Sequence, residues 1–248
     1  MSQSLSSQNA CDLLQGPVLA EHLEFWKRYL KDAPRTLELP TDRPRLPIAN
    51  HRGGCVSFEL GAQLSMRLRQ FSQHAQVTLL MTRAAAFNVL LHRYSGQDDV
   101  CVGYFVGNRN RVETEGLIGA FVNTLVLRAP LLRDQTFATH LARVRDSLLE
   151  ADAHQDLPFE KLVEELSPER DPSRHPLQVT FSYSTTHDSR SKTATMLPGL
   201  GEKKIAFPGL AISLVEPEYN TAKFDLSLFI SETEAMLAGD LEYASDSF

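Results

Sequence analysis

Cysteine is scarce: Cys11, Cys55 and Cys101 are the only three in 248 residues. They are widely spaced and contain no CxxC pair, which excludes a disulfide framework and a thiolate metal site and fits a reducing cytoplasm. Long apolar runs are also missing. The longest, around Ala84 to Leu91, contains Asn88 and falls far short of a bilayer span, so no membrane segment is expected. Met1 to Gln15 is rich in Ser and Gln and has no basic stretch ahead of an apolar one, so no secretory leader is read there. A basic excess is absent as well: Lys and Arg number 25 against 31 Asp and Glu, a net charge of -6, which excludes binding driven by neutralised phosphates, and no nucleic-acid partner is expected.

Motifs of the common chemistries are lacking too. GxGxxG and GxxxxGK[ST] do not occur, so nucleotide binding has no loop behind it. GxSxG, HExxH and paired histidines are absent, so neither a nucleophile elbow nor a zinc centre is read. No catalytic residue and no metal ligand is assigned, and each of the eight histidines reads first as structural or surface.

What is present describes an ordinary soluble chain. Hydrophobic residues make up 42% and charged residues 23%, enough to build a real core. Residues 1–16 read as a disordered lead-in. Leu19, Leu23, Trp26 and Leu30 recur at helical spacing and predict a helix over Val18 to Leu30. Pro34, Pro40, Pro44 and Pro47 then enforce extended chain, making 34–53 a Pro/Arg-rich linker along a surface. Cys55 to Leu60 alternates as a strand. Gly61 to His74 carries Leu64, Leu68 and Phe71 on one helical face, and Thr78 caps an apolar helix running to about Tyr94.

Val100 to Val106 has the continuous apolar character of a buried strand, and Phe121 to Arg128 predicts another. Thr136 to Ala153 is an amphipathic helix and Pro158 to Leu166 a short one. Beyond Leu177, strands are predicted at Val179 to Tyr183, Ala211 to Val215, Phe224 to Ile230 and Met236 to Tyr243. The Ser-, Thr-, Lys- and Gly-rich stretch 185–207 reads as a long mobile loop. Strands and helices mix without an internal repeat, which indicates an α/β fold: a layered sheet with flanking helices.

Three segments carry more than this. Ile118-Gly119-Ala120-Phe121-Val122-Asn123-Thr124-Leu125-Val126-Leu127-Arg128 places an amide in an apolar strand, where it needs partners. In His154-Gln155-Asp156-Leu157-Pro158-Phe159-Glu160, Pro158 suits the first turn of a helix and Asp156 can accept from its free N–H groups. Arg170-Asp171-Pro172-Ser173-Arg174-His175-Pro176-Leu177 sets two arginines and an aspartate in a proline-pinned loop, which favours a fixed ion-pair network.

Together these segments resemble the C-terminal half of the nonribosomal peptide synthetase condensation domain, whose patterns IGxFVNTxxxR, HQDxPFE and RDxSRNPL follow in this order. The first is matched through Ile118, Gly119, Phe121 to Thr124 and Arg128, the second throughout, and the third except at His175, where asparagine is usual. Leu37 to Pro44 resembles the family's LELPTDRP linker, and Tyr94 to Gly103 its YSGQxDxxVG stretch. Lys223 to Leu226 and Leu241 to Tyr243 also fit, so the resemblance covers about Leu14 to the C-terminus.

The resemblance implies one lobe, residues 17–248, of a chloramphenicol-acetyltransferase-like two-lobe fold with a tunnel between the lobes. It implies amide formation between a donor thioester and an acceptor amine, each delivered on the phosphopantetheine arm of a peptidyl carrier protein, with no cofactor bound directly. The family's HHxxxDG motif does not occur in this sequence, so the N-terminal lobe that carries it is an expected partner and the chain alone is not expected to be catalytically competent. The alternative is a non-catalytic partial domain that docks carrier or adenylation domains.

By the same resemblance, Phe121, Asn123 and Thr124 line the tunnel, and Arg109 is the cross-lobe ion-pair residue. His154, Asp156, Glu160, Arg170, Asp171 and Arg174 serve structural motifs. A third reading recruits His154 or His175 as the base of a plain acyltransferase. The apolar strip Ile118 to Leu127 is expected to be covered by the other lobe or, failing that, to drive homodimerisation.

Overall fold

The structure, a computed structural model, describes residues 16–34, 36–44, 50–108, 118–119, 121–166, 177–185, 204–207, 210–213, 221–232 and 236–248. The expected lead-in before residue 16 therefore lies outside the described residues. The chain divides into two compact units, one of Met1–Leu39 with Ala85–Pro172, the other of Pro40–Ala84 with Ser173–Phe248.

In the first unit, α1 (Pro17–Tyr29) starts on a proline, which suits the first helical turn, and buries Phe25 and Trp26. Helix α3 (Leu79–Ser95) carries the chain into this unit; its N-terminus is held by Thr78, whose Oγ1 accepts from Met81 N at 3.2 Å. Strands β2 (Cys101–Val106) and β3 (Asn123–Arg128) pair antiparallel, Cys101 opposite Arg128 and Val106 opposite Asn123. Helix α4 (Phe137–Ala153) is capped by Thr136, whose side chain accepts from Thr139 N. It packs on β3 and buries His140, Leu141, Val144, Ser147, Leu148 and Ala151, the stripe that a 3.6-residue period draws. Helix α5 (Phe159–Leu166) follows and buries Leu162.

In the second unit, β1 (Gly53–Leu60), β8 (Leu237–Ala244), β7 (Leu226–Glu232) and β4 (Val179–Thr185) lie side by side in that order. The β1–β8 and β8–β7 pairs are antiparallel and the β7–β4 pair is parallel. Registered partners share a sheet face, so Phe181, Leu228, Leu241 and Val56 stand on one side. The opposite side carries Thr180, Ser227, Glu242 and Cys55. Phe58 and Gly239 are registered, and a Cβ at Gly239 would sit 2.3 Å from the Phe58 ring, so only glycine lets that ring lie flat across β8.

Two expectations need correction. Helix α2 (Ala62–His74) turns Ser65 and Ser72 inward, at 0% and 3% exposure, while Leu64 and Phe71 are 48% and 40% exposed. The reason is polar: Ser65 Oγ donates to Leu60 O at 2.9 Å and accepts from Leu237 N at 3.0 Å. Ser72 Oγ in turn meets Leu68 O and Thr82 Oγ1. Small hydroxyl side chains let the helix sit close to the sheet and satisfy a strand N–H that an apolar side chain would strand. The second correction falls on 185–207: Lys204–Phe207 is β5, paired antiparallel with β6 (Leu210–Ser213), and 185 ends β4. Ile205 and Phe207 alternate in sequence, the period of a strand; the rest of that stretch, 186–203, lies outside the described residues.

Candidate functional site

The strand that opens with Asn123 is fixed at both ends, by Asn123 at one and Arg128 at the other, both from the first motif singled out above. Asn123 is 9% exposed and uses its amide four times. Nδ2 donates to Gln155 O at 2.7 Å and Leu157 O at 2.8 Å. Oδ1 accepts from Thr124 N at 2.9 Å and from Phe159 N at 3.1 Å. The last bond gives a free N–H at the start of α5 its acceptor, so Asn123 serves as a cap supplied from a distant strand. Its capacity is filled. Asn123 therefore offers no free donor to a substrate, and the 155–159 turn cannot leave β3 without breaking charge-neutral but buried bonds.

Thr124 follows on the opposite side of the strand, registered with Phe105 and partly exposed. Phe121 is partly buried with its ring beside Gly119, where an added Cβ would lie 3.3 Å from Cε2. Ile118 and Val122 are 104% and 68% exposed, whereas Leu125, Val126 and Leu127 are buried, so the uncovered part of the apolar strip is its N-terminal end.

At the far end of β3, Arg128 spreads its guanidinium over two segments. Nε and Nη2 bind the Asp99 carboxylate, the latter at 2.6 Å. Nη1 donates to Tyr29 O at 2.8 Å and Lys31 O at 2.7 Å, carbonyls left open where α1 ends. The Asp99 carboxylate beside it holds the Arg128 guanidinium above its ordinary value. The Tyr29 hydroxyl accepts from Arg128 N and lies against Ser147 Oγ, and burial pushes it up to about 12. Cys101 is pushed up to about 12 by burial, with Asp99 adding to it, so its thiol stays protonated and is no nucleophile.

His154 is the C-cap of α4. Its ring stacks on Phe25 at 3.8 Å, its Nδ1 meets His22 Nδ1 at 2.8 Å, and its carbonyl accepts from Trp26 Nε1 at 3.2 Å. Asp156 is half-buried and Glu160 exposed. Tyr104 Oη donates to Asp152 at 2.8 Å, two residues ahead of the motif. Burial raises the Asp152 carboxyl.

Arg109, Arg170, Asp171, Arg174 and His175 lie outside the described residues. The structure thus brings two of the three motifs into one site and adds His22, Trp26, Tyr29, Asp99 and Ser147, which no spacing argument singled out as partners. Two of them had a signal: Trp26, an indole on a helix face whose N–H needs an acceptor when buried, and Asp99, the aspartate of the Tyr94 to Gly103 stretch.

The model of the condensation domain family matches residues 8–248. The chain belongs to the condensation domain family. It is 44% identical to a linear gramicidin synthase from Brevibacillus parabrevis, over 95% of this chain and 4% of that protein. It is 41% identical to chondramide synthase cmdD from Chondromyces crocatus, over 93% and 6%. This condensation-family chain thus spans a small fraction of the synthetases it matches. Among solved structures it is similar to the X-domain from teicoplanin biosynthesis, with TM-score 0.82 and 28% identity over 99% of this chain and 54% of that one. It is equally similar to the four-domain nonribosomal peptide synthetase holo-AB3403, TM-score 0.82 and 26% identity, over 92% of this chain and 18% of that one. The α/β fold with sheet and flanking helices is that of condensation domains. Among the described residues no helix is long and apolar enough to cross a membrane.

Proposed function

We propose that this chain is the C-terminal lobe of a nonribosomal peptide synthetase condensation domain and forms one wall of an amide-forming tunnel. The observation that carries the reading is the Asn123 clamp, which joins the FVNT strand to the HQDLPFE turn as one rigid wall. In the reaction, the acceptor amine attacks the donor thioester carbonyl. A C–N bond forms, the C–S bond breaks, and the proton lost from nitrogen ends on the departing pantetheine sulfur. Much of the acceleration in such a step comes from holding two tethered reactants face to face. Phe121 and Thr124 contribute surface to that wall, Asn123 holds it, and Arg109 pairs across to the second lobe. The N-terminal lobe supplies the HHxxxDG motif, so both are needed.

The test combines this chain with a separately produced N-terminal lobe and two carrier proteins of verified loading. Amide product from the pair, and none from either half, is expected. No product from the pair with both carriers loaded overturns the reading.

A second reading makes the chain a docking platform without catalysis. It is favoured by one similar structure, a complex of the X-domain with OxyB from teicoplanin biosynthesis, TM-score 0.76 and 28% identity over 92% of this chain. Binding of adjacent carrier or adenylation domains to a pair that makes no amide supports it, and binding no better than background removes it.

A further inference from the structure

His22 on α1 and His154 at the end of α4 meet Nδ1 to Nδ1 at 2.8 Å, with their rings edge to face at 5.0 Å and 84°. A nitrogen–nitrogen contact this short is a hydrogen bond only if one Nδ1 carries a proton and the other presents its lone pair. Two other contacts hold His154 whatever its charge: the flat stack on Phe25, at 14° between planes, and the Trp26 bond to its carbonyl. Only the bond to His22 counts protons. No third His, Cys, Asp or Glu joins the pair as a metal set among the described residues.

We propose that His22 and His154 form a proton-operated latch that fastens α1 to the end of α4 and to the turn clamped by Asn123. With no proton added, or with one shared between the rings, the latch is closed. Uptake of the next proton leaves two N–H groups facing each other, which removes the bond and sets two cations against one another.

The surroundings set the direction. Burial lowers the affinity of His154 for a proton, the neighbouring His22 lowers it further, and Arg28 on α1 acts the same way. Glu21 on α1 and Glu150 on α4 oppose them. On α5, Glu165 is taken up by Lys27 at 3.0 Å. A histidine held below its ordinary 6.5 binds fewer protons folded than unfolded. Its contribution to stability is therefore complete above that value and is lost as pH falls.

Hydrogen exchange with mass spectrometry on the full chain, corrected for the intrinsic pH effect, reads α1 directly. Between about pH 7.5 and 5.5, protection of 17–29 is expected to fall by up to about tenfold in the natural chain. The fall should be clearly smaller in His22→Phe, which keeps an edge-on ring, and in His22→Gln, which keeps hydrogen bonding without titrating, since burial of His154 remains but the facing imidazole is gone. NMR of the His154 imidazole should show a titration that moves when His22 is replaced. Equal loss of α1 protection in both variants and the natural chain overturns the latch. So does unchanged protection in the natural chain, or binding of zinc alone to both rings at neutral pH. His140, wholly buried and depressed to about 4 by burial and then by Arg143 and His92, titrates below this window.

Discussion

Arg128 grips Asp99 as a fork, with Nε 3.0 Å and Nη2 2.6 Å from the same Oδ2, while Nη1 reaches back to the end of α1. Planarity matters here, because one flat guanidinium serves a carboxylate on one edge and two helix-terminal carbonyls on the other. Its side chain is 17% exposed and that of Asp99 27%, so the pair is shielded enough to count.

Arg128→Ala should therefore destabilise by about 3 kcal/mol, since it strands a carboxylate and two carbonyls. Arg128→Lys is expected to recover less than half, because an ammonium cannot span both edges. Urea unfolding of the three proteins measures this; full recovery by lysine would falsify the fork argument.

Asn123→Ala leaves Gln155 O, Leu157 O and Phe159 N without their partner and should cost about 3 kcal/mol. Asn123→Asp keeps the acceptor but points a charged oxygen at two carbonyls. Its carboxyl is then raised in the fold, so this substitution contributes stability that grows as pH falls, where the neutral amide of Asn123 contributes no pH dependence. Unfolding midpoints at neutral and mildly acidic pH test the sign.

Glu232 in the second unit accepts from Arg69 Nε at 2.8 Å and Tyr183 Oη at 2.5 Å. The Arg83 guanidinium, 4% exposed, lies 3.9 Å from it and 4.0 Å above the Tyr183 ring. Burial alone would raise this carboxyl, but the bonds from Tyr183 and Arg69 and the nearby cations hold it below its ordinary 4.5. Its stabilisation is present above that value and is lost as pH falls through the lower one. Glu232→Gln should cost about 3 kcal/mol by leaving Arg83 buried and uncompensated, and adding Arg83→Met should restore much of it. A double variant no more stable than the single contradicts this.

Asn88 is 1% exposed on α3, and neither amide atom has a hydrogen-bond partner among the described residues. Leucine has nearly the same shape and nothing to desolvate. Asn88→Leu is expected to stabilise by about 1–2 kcal/mol and raise Tm by roughly 2–8 °C. A lower Tm by differential scanning calorimetry would show that the amide has a task in the fold.

The positions of α1, α4 and α5 were legible because periodic apolar residues and Pro158 at a helix's first turn are local signals. The inward face of α2 was not, because Ser65 is buried for the sake of Leu237 N, 172 residues away. In the site, the need of Asn123 for partners could be read from an amide in an apolar strand. Which partners it takes could not, since they lie 32 to 36 residues further along the chain.

By itself, then, the sequence determined most of the element types (though not the strand at Lys204–Phe207), the α/β class and, through three collinear motifs, the family. Those are properties of local periodicity and residue order. Tertiary structure decided that Asn123, Arg128 and His154 are joined to a turn, a helix end and a second histidine. Hydrogen bonds act over about 3 Å in space, and nothing in a linear order fixes which donors and acceptors come that close.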